Sequence, residues 1–171
     1  MSTLRAALLA LLVLTAVLVQ SVVLAPLHLP GATPDVVLLV VVGTAQAWGR
    51  LPGAVAGFAA GLAVDLLPPS DGAAGRWAAV LTVLGYAVGR TFEHVAAAPL
   101  RTLLAVVVAA PASVAGSALL GTLIGDPGVA WSRVPQVALA ALAYDLVLTP
   151  LVVPAVQRLA RTADPEAGVR L

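Results

Sequence analysis

The sequence predicts an all-α membrane protein: a bundle of six transmembrane helices, with five as the alternative count. Two observations predict it. Hydrophobic residues make up 61% of the 171 and charged residues only 10%, against about 25% charge in a soluble domain. The mean hydropathy is +1.05. A soluble fold of this size has no interior large enough to hide so much apolar surface, so the solvent is lipid. A straight span of the ~30 Å hydrocarbon core needs about 20 apolar residues. Six such spans leave no room for a separate soluble catalytic domain. Cysteine is absent, which excludes disulfides and thiolate chemistry. Lysine is absent too, and all nine basic residues are arginine, which suggests a GC-rich bacterial genome. The net charge of +1 excludes a general attraction to nucleic acid.

The expected transmembrane domain covers residues 1–158, with spans at about 4–24, 34–48, 52–67, 75–89, 100–125 and 135–157. A polar tail fills 159–171. The first apolar run is longer than a signal peptide's core and further spans follow, so it reads as a retained helix. Gln20 and Ser21 near its end face neighbouring helices or the interface. Thr33-Pro34-Asp35 reads as a helix start, with a capping hydroxyl, a proline at the first helical position and an acid in the first turn. Gly49-Arg50-Leu51-Pro52 ends span two and opens span three. Pro68-Pro69-Ser70-Asp71-Gly72 is a firm break before span four. Pro111 lies inside span five, and Pro150 and Pro154 near the end of span six. Spans two and four are short for a full crossing, which is what keeps five spans open.

Arginine placement sets the orientation. With six spans, Arg5, Arg50, Arg90, Arg101, Arg158, Arg161 and Arg170 share one side, and only Arg76 and Arg133 lie on the other. The expected topology is N-in, C-in. Trp48, Trp77 and Trp131 fall at expected span ends, as an interfacial aromatic belt requires.

Span three carries the most distinctive pattern. Gly53, Gly57 and Gly61 fall four apart, on one helix face, and present a groove of bare backbone. Small residues at this spacing let a second helix approach closely in lipid. That helix belongs either to the chain itself or to a partner. Phe58 falls on another face, and Asp65 follows one turn after the last glycine.

Asp65 and Asp145 are the embedded acids, and an intramembrane carboxylate is a functional hypothesis by default. For Asp145 the readings are a polar contact inside the bundle or a ligand, ion or partner contact. Asp35 is a helix-start acid that also has the choice of bundle or ligand contact. An aspartyl protease of the presenilin type needs a Gly-x-Gly before its second aspartate; here Leu62-Ala63-Val64 precede Asp65. His28 and His94 both fall in loops, which removes an intramembrane serine–histidine pair. Two distant histidines without cysteine offer no metal constellation. No phosphate-binding loop is present. No catalytic residue, metal site or cofactor is expected.

Several motifs together carry a resemblance. Pro34-Asp35 opens span two. G-x-x-x-G-F-x-x-G-L-x-x-D-L-L follows over residues 53–67, then the Pro68-Pro69 turn, then L-x-x-L-G-Y-x-x-G over 81–89. The chain resembles the MreD family of rod shape-determining membrane proteins, most closely over residues 34–89. The resemblance implies a non-enzymatic component of the bacterial elongation complex in the inner membrane. Such a protein associates with the bitopic protein MreC. Through MreC it meets actin-like MreB and the glycosyltransferase–transpeptidase pair that builds peptidoglycan. The implied fold is similar to the six-helix substrate-binding subunit of energy-coupling-factor transporters. That likeness supplies the alternative of a small-molecule-binding transporter subunit. The family pattern falls on Asp35, Gly57, Phe58, Gly61, Asp65, Gly85 and Gly89. The expected partner-binding residues are Gly53, Gly57, Phe58, Gly61 and Asp65, with Asp65 accepting a hydrogen bond at the outer surface.

Overall fold

The computed structural model describes residues 3–67, 75–93 and 98–163. The break at 68–72, His94, Arg170 and the last part of the tail lie outside the described residues. Six α-helices follow one another among the described residues: α1 (Thr3–Leu18), α2 (Val36–Trp48), α3 (Arg50–Leu66), α4 (Arg76–Phe92), α5 (Pro99–Ile124) and α6 (Val134–Thr162). Among the described residues there is no strand. α1 continues through a π-helical stretch, Val19–Leu24, and a short 3-10 turn, Ala25–Leu27. Among the described residues three helical stretches are long and apolar enough to cross a membrane: Thr3–Leu27, Pro99–Ile124 and Trp131–Thr162.

α2 resolves the difficulty of the short second span. Its 13 residues reach only about 20 Å at 1.5 Å per residue. Yet every residue from Val37 to Ala45 is buried, and α2 touches all five other helices. A helix walled by protein need not match the bilayer's thickness. α3 and α4, with 17 residues each, reach about 26 Å by the same rise. They form the most extensive contact in the bundle.

The outside is apolar almost everywhere. Leu11 and Leu14 of α1, Leu51, Phe58 and Leu66 of α3, Val108 and Leu123 of α5, and Val147 and Leu151 of α6 are all exposed. The core beneath them is Val, Leu and Ala from α1, α2, α3, α5 and α6, with Leu81 and Val88 of α4. A surface this apolar on every side fits lipid and not water.

Several boundaries differ from the sequence reading. Asp35, not Thr33, caps α2: its Oδ1 accepts from Leu38 N at 2.9 Å, and Thr33 is exposed. Pro52 lies at the third position of α3, still inside the first turn, where a missing N–H is harmless. α4 runs on to Phe92. α6 runs unbroken through Pro150 and Pro154 to Thr162, so the first residues assigned to a polar tail are helical.

Candidate functional site

Each embedded acid lies at the start of a helix other than its own. The first turn of a helix leaves four N–H groups without partners, and in lipid the protein must supply acceptors. α4 begins after Gly75, which has φ +100° and no side chain to cap with. Asp65, at the end of α3, takes the cap's place. Its carboxylate accepts from Gly75 N at 2.9 Å, Trp77 N at 3.1 Å and Ala78 N at 3.0 Å. It is 7% exposed. The position opposes α3's own dipole, an effect of about 0.3–1 kcal/mol. Three charge-assisted bonds, at roughly 1.5–3 kcal/mol each, outweigh that. The expectation that Asp65 meets a partner at the surface is therefore corrected: its oxygens are committed to α4.

The start of α2 is held from three directions. Asp35 caps it directly, Gln20 of the π-helical stretch accepts from Val37 N at 3.0 Å, and Asp145 of α6 accepts from Asp35 N at 2.7 Å. Asp145 is fully buried, and its Oδ2 has no partner among the described residues. Of the two readings for Asp35 and Asp145, this geometry is the contact inside the bundle. Asp145→Asn keeps an acceptor for Asp35 N and is expected to change stability by less than about 1 kcal/mol. Asp145→Leu leaves that N–H unmet and is expected to cost about 1–3 kcal/mol. Melting midpoints of the two variants in detergent check the ordering.

The glycine groove is filled by the chain's own α4. A Cβ on Gly53 would lie 2.6 Å from Gly85 O, one on Gly57 would strike Leu81 O, and one on Gly61 would strike Trp77 O. The same holds from the other side, where a Cβ on Gly85 would strike Gly53 O and one on Gly89 would lie 2.5 Å from Arg50 Cα. The expectation that Gly53, Gly57 and Gly61 dock a partner is overturned: no second helix can enter a contact already at backbone distance. Phe58, on another face, is exposed.

Two concavities stand out among the described residues. The larger, about 690 Å³, opens at the end of the bundle where α3 ends and α4 and α6 begin. Gln20, Ser117, Arg76, Trp77, Asp126 and Arg133 are among its lining residues. Arg76 Nη1 donates to Asp126 Oδ2 at 2.7 Å. The smaller, about 550 Å³, is an apolar groove between the last half of α4 and the first half of α5, walled by Leu84, Ala87, Val88, Leu104, Ala105 and Val108. Against protein-family models, curated proteins and solved structures, the chain matches none.

At the opposite end Arg50 Nε pairs with Glu93 at 3.5 Å. There Gln46 Oε1 accepts from Thr102 and Gln157, and Trp48 Nε1 donates to Ala160 O at 3.3 Å. Among the described residues no three His, Asp or Glu converge on a metal position. Sequence reasoning missed Gln20 as a cap, and Arg76, Asp126 and Arg133 as neighbours of one cavity. The available signal was the rarity of arginine on that side.

Proposed function

We propose that this chain is a non-enzymatic membrane adaptor of the MreD kind. It is an inner-membrane, six-span, N-in/C-in bundle that binds an MreC-like bitopic protein and helps direct lateral peptidoglycan synthesis. One observation carries the reading. The motif residues behind the resemblance make the fold's internal contacts: Gly53 lies against Gly85 and Gly57 against Leu81, Gly89 lies against Arg50, Asp65 caps the start of α4, and Asp35 caps α2. The shared pattern is then the fold's own assembly code, which a likeness of apolar composition alone would not give.

With the glycines occupied, the partner's membrane helix takes the α4–α5 groove. Its walls include Ala87, Ala105 and Ala109, and small side chains allow close helix approach in lipid. Ala87 is exposed, so Ala87→Trp fills the groove at little cost to folding. Co-purification of the MreC-like partner is expected to fall about tenfold or more, the equivalent of about 1.4 kcal/mol, with the melting midpoint unchanged. Undiminished co-purification removes this groove as the docking face. Loss of the gene is expected to round rod-shaped cells.

The cysteine-free sequence makes the topology easy to test. In intact cells a membrane-impermeant maleimide is expected to label Ser132→Cys and not Thr162→Cys, both exposed positions. Labelling of both rejects six spans.

The 690 Å³ cavity favours a second reading, the small-molecule-binding subunit of a transporter. That reading expects normal cell shape and a lost uptake activity in the deletion strain.

A further inference from the structure

Of the described arginines, only Arg76 and Arg133 lie at the end of the bundle where α4 and α6 begin, and both line the larger cavity. Arginine is disfavoured on the outer side of a membrane protein, so the convergence of these two on one concavity asks for a reason. Bundle assembly does not supply it for both. Arg76 holds Asp126, and the charges of that pair cancel. Asp65 also lines the cavity, but its carboxylate is committed to three N–H groups of α4. Arg133 is exposed and has neither a hydrogen bond nor an ion pair from its side chain among the described residues. Arg133 thus brings to the cavity a guanidinium whose donors are uncommitted among the described residues. Arg76 Nε adds a buried donor without a partner among the described residues, and Trp77 and Val129 supply apolar wall. A volume of about 690 Å³ falls within the roughly 300–1,000 Å³ of small-molecule sites.

We propose that this cavity binds a phosphate ester, its phosphate on Arg133 beside the Arg76–Asp126 pair and its apolar portion against Trp77. Guanidinium groups suit phosphate because their forked donors match its oxygens. A phospholipid headgroup and a soluble phosphate ester share this chemistry. The site goes beyond the adaptor reading and is read out separately from partner co-purification.

The test uses purified full-length protein. Native mass spectrometry compares retention of phosphatidylglycerol with retention of diacylglycerol, and tryptophan fluorescence follows a titration with glycerol 3-phosphate. Preferential retention of phosphatidylglycerol assigns a lipid, and saturable binding of glycerol 3-phosphate alone assigns a soluble ester. Arg133→Gln is expected to weaken the responding probe about tenfold, the equivalent of one charge-assisted hydrogen bond. Arg158→Gln, exposed at the opposite end, is expected to leave it unchanged. The Arg133 side chain is exposed and makes no hydrogen bond or ion pair among the described residues, so its loss should not disturb folding. Failure of both probes to bind overturns the proposal. So does equal behaviour of Arg133→Gln and Arg158→Gln.

Discussion

Gly57→Leu is expected to abolish the folded protein. The first side-chain atom at this position would meet the Leu81 carbonyl and lie 2.8 Å from Thr82 N, all of it helix backbone. Backbone cannot swing aside as a side-chain tip can, so α4 would have to move as a body. It is tied at one end by Asp65 and at the other by the Arg50–Glu93 pair. Overpacking in ordinary cores costs about 1–3 kcal/mol. Gly57→Ala is expected near the top of that range, and leucine well above it, against a total stability of roughly 5–15 kcal/mol. The expected result is loss of the monodisperse peak in size-exclusion chromatography. Phe58→Leu on the exposed face should behave as wild type. A Gly57→Leu protein with an unchanged melting midpoint would show that α3 and α4 do not meet along this face. Partner binding cannot be probed at Gly57 or Gly61, because losing the fold loses the partner as well.

Asp65→Ala is the second large effect. It removes the acceptor for three backbone N–H groups at the start of α4, where Asp65 is 7% exposed. At roughly 1.5–3 kcal/mol for each bond to a charged group, and with less than full additivity, the expected loss is about 3–5 kcal/mol. Asp65→Asn keeps one carbonyl acceptor and is expected to lose about half as much. Hydrogen exchange should locate the damage, with protection lost first in the opening turn of α4 and retained in α5 and α6. Equal stability of Asp65→Ala and wild type would mean that α4 is capped from elsewhere.

Legibility followed the range of the forces involved. The helix start at Pro34-Asp35 follows from local backbone chemistry, and the expected bounds of span five, about 100–125, fall within a residue of α5. The spacing of Gly53, Gly57 and Gly61 correctly announced a close helix approach, but it could not say whose helix would come. Gly85 and Gly89, at the same spacing in the next span, held the answer: two grooves of matching period can close on each other. The short second span looked anomalous because apparent length was judged against lipid, and α2 sees protein on every side. Asp145 and Asp65 stood out as costly acids. Their use depended on which helix start lay beside them, separated by 110 and 10–13 residues along the chain.

By itself the sequence determined the helical class, the apolar exterior, the order of the elements and the uneven distribution of arginine. These depend on composition and on interactions within one or two turns. Only the tertiary structure decided that the glycine faces of α3 and α4 consume one another, that two aspartates and a glutamine terminate helices that are not their own, and that Arg76 and Arg133 share one cavity. Those outcomes depend on which surfaces meet, and in lipid close steric fit and paired backbone groups choose the neighbours, with no large apolar driving force to bias the choice.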